Sequence, residues 1–408
     1  MAGQYSLKTF LRKAPNALLR EYLSRHGVGT GLKWGGLIEK SIDPIARAIE
    51  AADEKVRQQI ECDFQEINTL ADGGGVRVLI QEGVDRHHQV DLAGLADAAT
   101  GPLEFAFRCF VEHPDVFSVA KRFHHADGLG RWRKRKDLPE SEPFTTKESV
   151  ARFEVALSDY YRHQQYKGKA CKIDHYERGE RLYWFAYPED YAVGQLVWDK
   201  GELQFRTQRP AFEVIFVFHT GERSLDISAR GDKETLGKLQ QMFASAVLAV
   251  EIPDIPPDEI TYDPHGLLSR HFPLPLEPED GVDSVRVKSL TMSLVGVGQR
   301  RILVEADSEA NAQAVYDLLD DVLAGERLSS DLLYVTSAKL QLAFRPAGDS
   351  QRTTLTFAVG YPNSCSLKHE PKHDIARQLL KRWGIDVSER AQARPAKPRP
   401  GTQRTLRL

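Results

Sequence analysis

The strongest constraint on the fold is a change in the spacing of apolar residues near Lys167. Before Lys167, leucines and aromatic residues recur every three to four positions, which is the spacing of amphipathic helices. After it, short runs rich in β-branched and aromatic residues are separated by turn-forming segments, which is typical of strands. The pattern predicts an α+β chain: a mainly α-helical lobe, then an α+β lobe with antiparallel strands in ββα-like units.

Helix-capping residues, prolines and glycines predict where the elements and domains begin and end. Residues 43–75 predict one long amphipathic helix, begun by Asp43-Pro44 and ended by the glycines at 73–75. Residues 145–166 predict a second helix capped by Thr145 or Thr146, and Asp232 is the expected cap of a third. The predicted domains are a helical domain (1–165), an α+β domain (166–251), a proline-rich linker or strap (252–281), a second α+β unit (282–388) and a disordered basic tail (389–408).

Composition limits the class of protein. The 408 residues are 41% apolar and 28% charged, with a net charge of −3, which is ordinary for a globular chain. No apolar run approaches the roughly 18 residues that a membrane span needs, and the N-terminal residues do not resemble a signal peptide. The four cysteines are widely spaced and form no C-x-x-C pair, so we expect reduced thiols and a cytoplasmic location.

One short string matches a catalytic template. Residues His369 to His373 read H-E-x-x-H, the pattern of zinc peptidases, in which both imidazoles lie on one face of a helix. Proline fits the first turn of a helix but not its interior, so we expect the helix to begin at about Pro371. His369 and Glu370 then precede the helix and only His373 belongs to it. The sequence therefore predicts no metal site here and no cofactor.

A second pattern concerns RNA cleavage. Arg108 and His113, in a predicted helix, resemble the R-x(4–6)-H motif of HEPN ribonucleases. The resemblance implies that His113 is the acid–base group and that Arg108 stabilises the phosphate. Arg20 and His26 satisfy the same spacing, and His113 before Pro114 also fits a helix end. A HEPN-like or other metal-dependent nuclease is therefore an alternative, and a chain without catalytic activity is the main expectation.

Basic residues around Trp132 are the candidate nucleic-acid site. Alternating cations and an indole suit phosphates and a stacked base, although a solvated loop or a contact with an acidic protein has the same composition. The candidate residues are Lys121, Arg122, Arg131, Trp132, Arg133, Lys134, Arg135 and Lys136.

These observations lead to one expected function and two alternatives. We expect a non-enzymatic subunit of a larger bacterial assembly, for example in antiviral defence, that contacts DNA or RNA or serves as a scaffold for a protein partner. Aromatic runs such as residues 181–187 and 211–218 are core strands by default but could also provide a partner surface. The alternatives are the nuclease and a structural adaptor that binds only protein.

Overall fold

The computed structural model describes residues 5–39, 41–84, 89–130, 132–136, 138–167, 169–199, 201–254, 260–294, 300–307, 311–326, 328–346 and 353–387. The chain divides into two compact units, which we call the helical unit (Met1–Gly128) and the sheet unit (Leu129–Leu408). The α+β class predicted from the spacing of apolar residues is confirmed, because the described residues of the first unit form helices without a strand, and strands dominate the second unit.

The described part of the helical unit contains eight α-helices and a short 3-10 turn. The helices are α1 (Leu7–Lys13), α2 (Asn16–Arg25), α3 (Asp43–Glu50), α4 (Glu54–Thr69), α5 (Gly73–Val84), α6 (Ala93–Ala98), α7 (Pro102–Glu112) and α8 (Pro114–Gly128).

Aromatic side chains from helices distant in sequence build the core of the helical unit. Phe10 of α1 stacks on Phe64 of α4 with ring centroids 4.3 Å apart, and Phe107 of α7 meets Phe64 edge-on at 5.9 Å. The Tyr22 hydroxyl donates to a carboxylate oxygen of Asp63 at 2.5 Å. Burial and this hydrogen bond raise the pKa of Tyr22 well above its ordinary range. This aromatic packing links the first helix of the unit to α4 and α7.

The long helix predicted over residues 43–75 is wrong, because local caps divide it. The side chain of Asp53 accepts a hydrogen bond from the backbone of Lys55 and starts α4. The glycines at 73–75 begin α5 instead of ending a helix, since Asp72 accepts from the N–H of Gly75 at 2.9 Å. A carboxylate placed before a helix satisfies donors that have no partner within the helix.

The sheet unit contains twelve strands and four α-helices over its described residues. The strands are β1 (Trp132–Arg135), β2 (Cys171–Arg178), β3 (Arg181–Pro188), β4 (Val193–Asp199), β5 (Glu202–Gln208), β6 (Val214–His219), β7 (Ser224–Ser228), β8 (Val282–Leu294), β9 (Arg301–Glu305), β10 (Leu333–Phe344), β11 (Thr353–Gly360) and β12 (Ser364–Cys365). The helices are α9 (Lys147–Gln165), α10 (Lys233–Phe243), α11 (Ala314–Glu326) and α12 (Pro371–Arg382). The predicted caps Thr146 and Asp232 are confirmed by their hydrogen bonds to the first turns of α9 and α10.

Ten of the strands form one antiparallel sheet, in the order β2-β3-β6-β7-β1-β12-β11-β10-β8-β9. The strand β1 joins two halves: it pairs with β7 on one side and with β12 on the other. The domains predicted at 166–251 and 282–388 therefore share a sheet. Residues 129–165 also belong to this unit, because β1 is a central strand and Phe153 of α9 packs in the same core as Trp184 of β3.

The helices cover opposite faces of the two halves. In the first half, Leu225 of β7 packs in the core that contains α9 and α10, so the neighbouring Asp226 faces the other side. The strand register shows which side chains share this face. Asp226 is opposite Lys134 of β1, Trp132 lies two residues before Lys134 on the same face, and Trp132 is opposite Cys365. Cys365 packs on the second core, which contains α11 and α12. The two cores therefore lie on opposite faces of the sheet, and the side chains of β1 lie at the junction where the two halves meet.

The proline-rich segment is ordered in its described part. Tyr262 and Leu267 are buried in the second core, and the carbonyl of Pro275 accepts a hydrogen bond from the indole of Trp383 at 3.0 Å. Residues 260–281 are thus a strap packed on the second half of the sheet. The tail predicted at 389–408 lies outside the described residues.

Candidate functional site

The indole of Trp132 is buried within the sheet unit. Only 3% of Trp132 is exposed, its Nε1 donates to the carbonyl of Leu129 at 3.1 Å, and its ring meets the imidazole of His369 edge-on at 4.7 Å. A base cannot stack on a ring that protein atoms cover on both faces. The prediction that Trp132 offers a stacking surface is therefore wrong, because residues 132–135 form a central strand.

Three basic residues on and just after β1, Lys134, Arg135 and Lys136, are largely covered by the protein and have partners within it. Nζ of Lys134 lies 2.8 Å from Glu222, and Nζ of Lys136, just after the strand, lies 2.8 Å from Asp386. Arg135 is fully buried and donates to the carbonyl of Pro253 at 3.1 Å. The prediction of an exposed phosphate-binding surface is wrong for these three cations. The acidic partners of Lys134 and Lys136 are distant in sequence, so local charge counting could not reveal their neutralisation.

The remaining basic candidates are dispersed. Lys121 belongs to α8 of the helical unit and pairs with Glu66 at 2.6 Å, with both side chains partly exposed. Arg122 lies next to it, and Arg133 is half-buried on β1. Arg131 lies outside the described residues. Phosphate contact by Lys121, Arg122 or Arg133 stays a prediction.

The two residues of the HEPN-like pattern have structural roles. Nη2 of Arg108 lies 2.8 Å from Glu104, one turn earlier on α7, and the Thr100 hydroxyl donates to the same carboxylate. His113 follows the last residue of α7, and its N–H bonds to the carbonyl of Cys109. These contacts give Arg108 and His113 structural roles that require no catalytic activity. The ribonuclease alternative stays a prediction.

The zinc template is not assembled. The helix α12 begins at Pro371, as predicted, with Glu370 at its cap. Nδ1 of His373 accepts a hydrogen bond from the backbone of Lys368 at 3.0 Å, which occupies one of its two nitrogens. Within the described ranges, no group of three or more potential metal ligands occurs.

His369 has a different environment from His373. It is 4% exposed, neither ring nitrogen has a hydrogen-bond partner, and Nε2 is 3.9 Å from a carboxylate oxygen of Asp226. Burial, reinforced by nearby cations such as Arg377 and Arg181, holds the pKa of His369 well below its ordinary value. The imidazole is therefore neutral at physiological pH, and the pair is not a salt bridge.

A groove of about 450 Å³ runs between α9 and the edge strand β2. The carboxylate of Glu154 accepts from the backbone N–H of Ile173 at 2.8 Å and so covers part of the open edge. Covering an edge in this way discourages the addition of a further strand. The groove is therefore a weaker candidate for a binding site than the hairpin formed by residues 193–208.

The hairpin formed by β4 and β5 is a two-stranded sheet separate from the main sheet. Gly201 at its turn has φ of +80°, a conformation that glycine adopts without strain. Every residue of β5 is exposed, and no strand in the described ranges pairs with the outer edges of the hairpin. An isolated two-stranded hairpin is marginally stable in water, so this element lacks the support that the other strands have.

The two faces of the hairpin differ in chemistry. Cross-strand pairs put Leu196 opposite Phe205 and Trp198 opposite Leu203 on one face, which we call the apolar face. The other face is mostly polar and carries an ion pair between Arg206 and Asp199 at 2.9 Å. On the apolar face the ring of Phe205 lies over Gly194, where an added Cβ would come within 1.9 Å of Cζ. The ring therefore occupies the place that a side chain at Gly194 would fill.

The apolar face is exposed to a degree that core strands never are. Its side chains are Leu196, Trp198, Leu203 and Phe205, which are 69%, 71%, 54% and 71% exposed. Sequence reasoning missed this surface because its alternating pattern is that of any half-buried strand. The runs predicted instead, residues 181–187 and 211–218, include most of β3 and most of β6, which are largely buried, so they offer no partner surface.

Comparison with known proteins adds no identification: no protein-family model matches the chain, and no curated protein matches it. Among the described helices, none is long and apolar enough to cross a bilayer. The candidate site therefore stands on the geometry of the hairpin alone.

Proposed function

We propose that this protein is a scaffolding subunit that binds a protein partner through the apolar face of the β4–β5 hairpin. The observation that carries the proposal is the contiguous exposure of Leu196, Trp198, Leu203 and Phe205 on an element outside both sheet cores. Exposed apolar patches with polar surroundings mark interaction surfaces, and tryptophan is enriched among the residues that dominate binding energy.

Charge favours protein over nucleic acid as the partner of this surface. Residues 193–208 contain two acidic and two basic side chains, so the hairpin is neutral. Binding to a strand of nucleic acid depends on a surplus of cations beside the aromatic rings. Leucines also alternate with the aromatic residues across the face, and they have no planar surface on which a base can stack.

The thiols fit the same proposal. All four cysteines, Cys62, Cys109, Cys171 and Cys365, are free. Burial raises the pKa of Cys109 to about 12 and that of Cys365 to about 11, so both are inert at neutral pH. A scaffold in a reducing compartment, as we propose for this chain in the cytoplasm, has this thiol chemistry.

Affinity purification of the tagged full-length chain from its native cells tests the proposal. The variants are a double substitution on the apolar face, Trp198→Ser with Phe205→Ser, and a matched control on the polar face, Gln195→Ser with Gln204→Ser. We expect a defined protein to be retained by wild type and control and lost by the first variant, and its purified form to bind the purified chain directly. Recovery of the same proteins with all three chains would reject the proposal.

A further inference from the structure

The arrangement of side chains on the apolar face is self-complementary. Trp198 and Phe205 occupy one diagonal of the face, and Leu196 and Leu203 occupy the other. Two such faces can be brought together by a two-fold axis that lies in the plane of the contact. This axis runs either parallel to the strands or perpendicular to them. In the first case Trp198 meets Leu203 of the second copy, and in the second case it meets Leu196. Either way a large ring faces a smaller side chain, which is how packed layers interdigitate.

We infer that the partner of the hairpin is a second copy of this chain, packed apolar face against apolar face. The inference rests on the proposed function, because it identifies the occupant of that surface. Closed two-fold pairs are the commonest oligomers of soluble proteins, and they need one surface that is complementary to itself. The diagonal pattern provides that property, which a surface evolved for an unrelated partner has no reason to have.

The area is sufficient for a specific contact. With the exposures given above, the four side chains offer on the order of 500 Å² per copy, since an aromatic side chain buries about 150–250 Å². Two copies would therefore bury about 1,000 Å² in total, the lower limit expected of a specific interface. Each copy leaves its polar face, with Gln195 and Gln204, in water.

Charge does not oppose the pairing. The hairpin is neutral, so two copies meet without net repulsion, and its Arg206–Asp199 ion pair lies on the face that stays exposed. The association should therefore depend weakly on salt, because apolar contact and not ion pairing drives it.

Sedimentation equilibrium of the purified full-length chain, over a hundredfold range of concentration, tests the inference. We expect wild type and the Gln195→Ser/Gln204→Ser control to dimerise alike, and the Trp198→Ser/Phe205→Ser variant to have a dissociation constant at least about 100-fold larger, since buried aromatic residues dominate such interfaces. Circular dichroism and the melting temperature of the monomeric variant check that its fold is retained.

Two outcomes would overturn the inference. One is a wild-type chain that stays monomeric, and the other is a dimer that persists in the apolar-face variant. They are distinguishable from failure of the proposed function. A monomeric chain whose hairpin variant loses a heterologous protein in the affinity purification would reject self-pairing and keep the scaffold, whereas a monomeric chain with no such loss would reject both.

Discussion

Nε2 of His369 lies 3.9 Å from a carboxylate oxygen of Asp226, and both side chains are buried at the junction of the two halves of the sheet. The distance is too long for a hydrogen bond. Burial, reinforced by nearby cations such as Arg181 and Lys134, holds the pKa of His369 well below its ordinary value, so this imidazole is neutral at physiological pH. At this junction Lys134 is paired with Glu222, whereas neither ring nitrogen of His369 has a hydrogen-bond partner.

The first prediction is loss of stability in mild acid. Because the folded pKa of His369 is below the unfolded value of about 6.5, the unfolded chain binds a proton that the folded chain does not. Stability should therefore fall as the pH drops below about 6.5, by up to about 1.4 kcal/mol per pH unit for this group. Burial also lowers the pKa of His175 and of His373 to about 4, and both contribute in the same direction between pH 6.5 and 4.

The variant His369→Phe isolates this contribution. Neither ring nitrogen of His369 has a hydrogen-bond partner, so the His369→Phe variant should be at least as stable as wild type at pH 7.5. At pH 5.5 its free energy of unfolding should exceed that of wild type by a larger margin. Urea denaturation at both pH values measures it, with the exposed His271→Phe as control. Equal pH dependence in wild type and His369→Phe would show that this imidazole does not titrate on unfolding.

The second prediction concerns the ion pairs of the central strand. Burial raises the pKa of Glu222, but the ammonium groups of Lys134 and Lys381, at 2.8 and 2.5 Å, outweigh that effect and lower it. Glu222→Gln leaves the buried Lys134 without its counter-charge and should lower the free energy of unfolding by about 3 kcal/mol. Adding Lys134→Met should recover most of that loss. The exposed ion pair between Glu140 and Arg223 is the control, and Glu140→Gln should leave the free energy of unfolding nearly unchanged.

The third prediction contrasts two tryptophans. Trp383 is 6% exposed and packs in the second core, whereas Trp198 is 71% exposed on the hairpin. Trp383→Ala should lower the free energy of unfolding by about 3–5 kcal/mol or prevent soluble expression. Trp198→Ala, compared under conditions that keep the chain monomeric, should change it by less than about 0.5 kcal/mol. A similar loss in both variants would mean that Trp198 packs on its own chain.

The sequence predicted local features well and long-range ones poorly. The caps Thr146 and Asp232, the start of α12 at Pro371 and the α+β class follow from spacing and capping chemistry within a few residues. The position of β1 does not, because the residues with which it pairs on β7 and β12 lie about 90 and about 230 residues away. Five basic side chains in six residues indicate a surface, and only the fold reveals that distant acids neutralise Lys134 and Lys136 and that Arg135 is buried against the carbonyl of Pro253.

The sequence did not predict the apolar face of the hairpin, for a related reason. Trp198 and Phe205 alternate with polar residues as they would in a half-buried strand, and the pattern does not state whether a core lies beneath the apolar face. Exposure is a property of the whole fold: the hairpin is inserted between β3 and β6 of the sheet and packs on neither core.

The fourth prediction uses the glycine beneath the Phe205 ring. An alanine methyl at position 194 would come within 1.9 Å of Cζ of Phe205, so the ring must swing away while the backbone stays in place. Gly194→Ala should therefore weaken self-association, measured by sedimentation, about tenfold or more without lowering the melting temperature of the monomer. Gly325→Ala is the control, because an added Cβ there meets no atom within 4 Å outside its chain neighbours and the backbone of its own helix. Unchanged association would show that the ring position is irrelevant to pairing.

The fifth prediction determines which two-fold axis relates the copies. Trp198→Lys alone should abolish the dimer, because two ammonium groups would be desolvated against apolar side chains. Mixed with Leu203→Glu, it should form a heterodimer if the axis runs parallel to the strands, since Trp198 then faces Leu203 of the second copy. Mixed with Leu196→Glu, the Trp198→Lys variant should form a heterodimer if the axis runs perpendicular to the strands, since Trp198 then faces Leu196 of the second copy.

Sedimentation velocity with one component fluorescently labelled distinguishes these mixtures. The heterodimer should weaken as salt rises from 0.1 to 1 M, roughly the range over which screening shortens from about 10 to 3 Å, unlike the wild-type dimer. The mixture of Trp198→Lys with Gln204→Glu, whose acid lies on the polar face, is the matched control and should stay monomeric. If neither apolar-face partner restored association while the wild-type chain dimerised, the two hairpins would not meet face to face, and the contact would have to use their open strand edges instead.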